Sequence, residues 1–176
     1  MQFIICVEAD SASKSDYVYI KSALYYFYKV DNNKTKLSPI YMGGRENYSS
    51  NKIKRRIASL VSQYKVGSPQ NESVVIYCFD CDQYTTDKAD ADFLDKAKRY
   101  CDERAYKFVW FCKEIESVFL GKQIADMLKK KEAERFALNR GVEKLNRANF
   151  SADKYKDKHS NLCKVLDEYF ADIKNG

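Results

Sequence analysis

Along the chain, short apolar runs alternate with stretches in which apolar residues recur every three or four positions. Four runs read as strands: QFIICV (2–7), SPIYM (38–42), SVVIYCF (73–79) and YKFVWFC (106–112). They are rich in β-branched and aromatic residues and mostly apolar instead of alternating, the pattern of strands covered on both faces. Between them the spacing is helical. Residues 15–30 place Tyr17, Ile20, Leu24 and Phe27 or Tyr28 on one face. Residues 50–65 follow a Ser49–Ser50 cap and group Ile53, Ile57, Leu60 and Val61. Residues 87–104 group Phe93, Leu94, Ala97 and Tyr100 or Cys101. The tyrosines of the first helix are read as core packing, not as a platform for bases. Beyond the fourth strand come a short turn at IESVFL, a long helical pattern from about 121 to 147, a polar loop NRANFSADKYKDKHS (146–160) and a last helix near 160–173.

Strands alternating with helices predict an α/β fold, a doubly wound, mainly parallel four-stranded sheet in the order 2-1-3-4. Residues 1–120 form that domain, and 121–176 are expected as a helical extension packed on it. No internal repeat, Pro-rich linker or low-complexity segment divides the 176 residues.

Hydrophobic content of 45% suffices for a proper core, and a charged fraction of 32% is that of a soluble protein. No run approaches the ~18 apolar residues of a membrane span. The opening MQFIICVEAD has no basic n-region and reaches acid at Glu8, so it is read as a strand and not a signal peptide. A cytoplasmic protein is expected. Six cysteines agree with this, since Cys6, Cys78 and Cys112 lie in apolar runs where a thiol behaves as a small hydrophobe. Cys78 and Cys81 have CxxC spacing, but they end a strand, and the one histidine, His159, is far along the chain. Zinc and thioredoxin chemistry are therefore set aside.

The net charge of +6 is unevenly placed. Lys52, Lys54, Arg55 and Arg56 open the second helix directly after MGGRENYSSN, which contributes Arg45. The run LKKKEAER mixes both signs and is read as a solvated helix face. In a sheet of order 2-1-3-4, functional groups gather at the carboxyl ends of strands one and three, where strand order reverses. Strand one runs out into Glu8-Ala9-Asp10, and strand three into Asp80-Cys81-Asp82. Three carboxylates in one crevice repel each other, and a divalent cation with a preference for hard oxygen relieves that repulsion. Strand two runs into Gly43-Gly44-Arg45 and strand four into Lys113-Glu114-Ile115-Glu116. An acidic metal centre with a basic rim suits phosphodiester chemistry, Arg45, Lys113, Lys52, Arg55 and Arg56 being the phosphate-binding candidates. Each element also has a plainer explanation. The aspartates are good turn formers, Gly-Gly is a common turn, and Glu114 and Glu116 suit a helix N-terminus.

A strand ending in Glu8 of CVEAD and a later strand ending in Asp80 and Asp82 of FDCDQ resemble the toprim domain, over about residues 1–125. The turn KEIESVFL with Glu116 is similar to turns of OLD-type nucleases and of small RloB-like proteins from bacterial defence loci. The resemblance implies a nuclease that cleaves DNA or RNA with magnesium or manganese, in the setting of phage defence. It implies that Asp80 and Asp82 hold the metal, that Glu8 is a ligand or a general acid/base, and that Glu116 serves a second metal. Ala9 departs from the usual glycine after the first Glu, and Gln83 stands where some relatives carry an acid. Two alternatives stay open: a non-catalytic toprim-like protein that binds nucleic acid or a partner, and a receiver-like signalling domain, for which Lys113 is suggestive. A homo-oligomer formed through the helical tail, or a defence-system partner, is also expected.

Overall fold

The computed structural model describes residues 1–81 and 83–173. In chain order the first seven regular elements are β1 (Gln2–Val7), α1 (Ser15–Phe27), β2 (Lys36–Tyr41), α2 (Asn51–Gly67), β3 (Ser73–Asp80), α3 (Lys88–Asp102) and β4 (Lys107–Phe111). All pairings within the sheet are parallel, in the order β2-β1-β3-β4, as expected from the alternation. Right-handed crossovers require connections that run in opposite directions along a sheet to lie on opposite faces. Accordingly, α1 covers one face, and α2 and α3 cover the other.

The pleat sorts the core. Phe3, Ile5 and Val7 of β1, with Ile76 and Cys78 of β3 and Val109 and Phe111 of β4, face α1. Their neighbours Ile4, Cys6, Val75, Tyr77, Phe79, Phe108 and Trp110 face α2 and α3. Every residue of β1 is buried, so its near-continuous apolar run follows from having two dry faces. The helix starts follow local chemistry. Ser50 accepts a hydrogen bond from the Ile53 amide, and Asp87 from that of Ala89, satisfying donors at the starts of α2 and α3. In α1, Ile20, Leu24 and Phe27 are buried as expected, but Tyr19 takes the fully buried place and Tyr17 is only half-buried.

Three further helices follow: α4 (Ile115–Leu120), α5 (Asp126–Leu138) and α6 (Leu162–Leu166). The pattern expected as one helix from about 121 to 147 is thus shorter. Arg140 adopts φ 52°, and a Cβ on Gly141 would lie 2.3 Å from the Phe136 ring, so the chain turns there and passes Phe136 only as glycine. Two 3-10 turns, Gly141–Lys144 and Arg147–Phe150, replace the helix end. The last helix also covers less than 160–173: it stops at Leu166, and Asp172 then bridges to Tyr28.

The segment from about 121 onward packs on the α1 face, with Ala133, Phe136, Phe150, Leu162 and Leu166 in the same core as β1. It also covers the outer edge of β4. The Asn161 side chain accepts from the Trp110 amide and donates to the Phe108 carbonyl, both at 2.9 Å, and the Cys112 amide donates to the His159 carbonyl. Unpaired strand edges invite association, and a loop that caps one removes the hazard. Among the described residues no helix is long and apolar enough to cross a membrane. Replacing Asn161 by alanine leaves two edge groups of β4 without partners, so Asn161→Ala is expected to lose about 1–3 kcal/mol of stability in urea denaturation.

Candidate functional site

Because all four strands run the same way, their carboxyl ends share one edge of the sheet, and the residues leaving them meet there. The Asp80 amide donates to Glu8 Oε1 at 2.9 Å, tying the end of β3 to the end of β1. Asp80 Oδ1 in turn accepts from the Ile115 amide at 2.9 Å, so the same carboxylate anchors the first residue of α4. The loop after β1 folds back through Asp16, whose Oδ2 accepts from the Ala9 amide at 2.8 Å. Asp10 closes the tip by accepting from the amides of Ala12 and Ser13. On the other side, the Gly44 amide donates to the Glu8 carbonyl, with Gly43 at φ 68° and Gly44 at φ 118°, where side chains are disfavoured.

These segments line a cleft of about 440 Å³ whose charged groups are Glu8, Asp10, Asp16, Asp80, Asp126 and Lys129. Burial, followed by the charges of Glu8, Asp16 and Glu116, pushes the Asp80 carboxyl well above its ordinary range, and Lys129 opposes the shift. Burial likewise raises Asp16. Glu116, in the first turn of α4, is 0% exposed, and neither carboxylate oxygen has a hydrogen-bond partner among the described residues. Burial pushes it up to about 7, against the pull of Lys129. The Tyr19 hydroxyl is a second buried group with no such partner, and its pKa is raised by burial and by Glu116.

Lys129 is the cation that serves this cluster among the described residues. Its Nζ lies 3.4 Å from Glu114, 3.8 Å from Glu116 and 3.4 Å from Asp126, and the side chain is 25% exposed. The reading of 129–135 as a solvated face therefore fails at its first residue. Lys129, Ala133 and Phe136 share one stripe of α5, and the burial of Ala133 and Phe136 draws Lys129 inward. That spacing was the available signal for Lys129. Asp16 offered one only as an acid in the first turn after a strand loop.

The expected site residues divide into three groups. Glu8 and Asp80 come together at the strand ends, with Glu116 close enough to act on Asp80 electrostatically. Asp82 lies outside the described residues. Two of the expected phosphate-binding residues have ion-pair partners in the fold. Arg45 pairs with Asp90 at 2.5 Å and lies over the Phe93 ring, while Lys113 pairs with Asp157 at 3.7 Å. Lys52, Arg55 and Arg56 are exposed along α2. All six cysteines are buried, and none is in a disulfide.

Do these groups suit a divalent cation? Among the described residues no set of three or more Asp, Glu, His or Cys side chains is disposed to hold one. The chemistry of the donors nevertheless suits a hard cation: half-buried carboxylates at the cleft, Asp80 raised by burial and by its acidic neighbours, with Glu116 behind them lacking a hydrogen-bond partner among the described residues. The molecule is thus a parallel α/β protein with an acid-lined cleft at its topological switch point. No family model matches the chain, and no curated protein matches it.

The state of Glu116 sets a pH dependence. A carboxyl with a raised pKa keeps its proton in the folded chain while the unfolded chain loses it. Its contribution is therefore present below about 4.5 and lost as pH rises to about 7. Glu116→Gln is expected to stabilise the protein at pH 8 by on the order of 1–3 kcal/mol, with little effect at pH 4, in denaturation series at the two pH values.

Proposed function

We propose that this protein is a divalent-metal-dependent nuclease of toprim type, acting in the cytoplasm on phosphodiester bonds of DNA or RNA. The observation that carries the reading is the meeting of Glu8 and Asp80 across β1 and β3, with the Asp80 carboxyl raised by burial and by its acidic neighbours. Acids held in this way bind a metal at little reorganisation cost, because the backbone amides of Asp80 and Ile115 already fix the two carboxylates. Asp80, Glu8 and Asp82 would hold magnesium or manganese, with Glu116 in reserve for a second ion. The bound ion supplies Lewis acidity at the scissile phosphate.

The chain's own residues do the rest. Glu8, which lines the cleft, would take a proton from attacking water or return one to the leaving oxygen. Lys129 offsets the carboxylate charge and carries its own positive charge to the cleft wall, where a phosphate would enter. Gly43 and Gly44 leave the β2 side of the cleft without side chains, so a backbone phosphate can approach closely.

Two alternatives receive less support. A receiver-like domain places its lysine against the acids, whereas Lys113 pairs with Asp157 and is not among the residues lining the acidic cleft. A binding protein without catalysis has no use for buried, mutually repelling carboxylates, which destabilise the chain. The test is calorimetric titration with magnesium and manganese, alongside cleavage of labelled DNA and RNA. Wild type is expected to bind metal and cleave, and Asp80→Asn and Glu8→Gln to stay folded but lose both. A folded wild type that binds no metal at millimolar concentration, with or without nucleic acid, would overturn the proposal.

A further inference from the structure

Consecutive residues of a strand point to opposite sides, and the end of β3 uses this. Asp80 lines the acidic cleft, while Cys81 helps line a second cleft of about 610 Å³ between the ends of β3 and β4. The character of this second cleft is different. Tyr84 and Tyr155 meet with ring centroids 4.0 Å apart, and Tyr155 packs against Trp110 at 4.8 Å. Both tyrosines are half-buried and line the space, so they present aromatic surface to it. Around them stand neutral hydrogen-bonding groups, the amides of Gln83 and Gln123 and the hydroxyls of Thr85 and Thr86.

The charges of the lining are also suggestive. Asp90 and Asp157 are each engaged by a cation, Arg45 and Lys113 in turn, which leaves Lys156 as the uncompensated charge among the described lining residues. The loop carrying Tyr84 is held in place. Asp90 accepts from the Gln83 amide at 3.1 Å, the Tyr84 amide donates to the Cys81 carbonyl at 2.7 Å, and the Gln83 carbonyl accepts from the amides of Thr86 and Asp87. Arg45 thereby acts through Asp90 to fix this loop.

Aromatic faces, neutral amides able to meet the edge of a base, and a lysine at the rim are the groups that recognise an unpaired nucleotide. A base inside a duplex offers no face to stack. We propose that this second cleft binds an unpaired nucleotide adjoining the phosphodiester presented at Asp80, so that the substrate is single-stranded where it is cut. The inference rests on the nuclease reading and narrows its substrate class.

The test measures binding in EDTA, where cleavage does not intervene. The probes are labelled oligothymidylate and oligouridylate of about 12 nucleotides, an abasic oligomer of equal length and its duplex counterpart. At least one base-bearing single strand is expected to bind roughly tenfold more tightly than the abasic strand and the duplex. Tyr84→Ala and Tyr155→Ala should each remove most of that advantage and leave abasic binding unchanged. Tyr84→Leu keeps an apolar contact at the loop and checks that the loss is not one of folding.

Equal binding of base-bearing and abasic strands, or an advantage indifferent to the tyrosines, overturns the inference. So does thymidine monophosphate binding as tightly as the oligomer, since the ligand would then be a free nucleotide. Failure of the nuclease reading is recognised separately. If metal binding and cleavage are absent but base-dependent binding still requires Tyr84 and Tyr155, the cleft stands and the nuclease falls. If metal-dependent cleavage ignores both tyrosines, the nuclease stands and the nucleotide cleft falls.

Discussion

Parallel strands deliver all their carboxyl ends to one side of a sheet, so acids that follow different strands are forced together as neighbours. The architecture of the site descends from that crowding. Here the Asp80 amide reaches the Glu8 carboxylate, and the Asp80 carboxylate reaches the start of α4. Burial raises Asp80 and Glu116, and Lys129 offsets only part of the repulsion. Folding alone gives no reason to keep Glu116 sealed without a hydrogen-bond partner among the described residues, because an unpaired buried polar group costs free energy.

The opposite edge of the sheet shows how the same fold treats a polar group of purely structural use. Gln2 is fully buried, yet its amide donates to the Ser38 hydroxyl and accepts from that of Ser73, both at 2.9 Å, stitching β1 to both neighbours. Each of these polar side chains is matched. At the carboxyl edge the Glu116 and Tyr19 side chains have no hydrogen-bond partner among the described residues, and in this the two ends differ.

The C-terminal extension contributes residues to both clefts. It brings Lys129 to the acids, seals the edge of β4 through Asn161, and supplies Tyr155 to the second cleft. Its contacts depend on a chain that cannot continue as one helix. At Gly141 the backbone passes against the Phe136 ring, and the following residues wrap back across the sheet.

How much of this was legible in the residues alone follows from the range of the forces involved. The strands and the first three helices are set by short-range periodicity, and the order expected for a simple doubly wound sheet is the one observed. These alone put Glu8 and Asp80 at one edge. They do not fix the partners of long, flexible side chains. Arg45 and Lys113 leave strands two and four, and their ion pairs with Asp90 and Asp157, both far onward in the chain, had no signal in the sequence. Lys129 sits in a run of lysines that differ only in which side of α5 packs inward, and Tyr155 in a stretch with no periodicity at all. Local patterning thus suffices for the strands, and a parallel sheet for the edge at which the acids collect. Which cation meets those acids, and which aromatic rings line the second cleft, was settled by folding, because those contacts join residues distant in the chain.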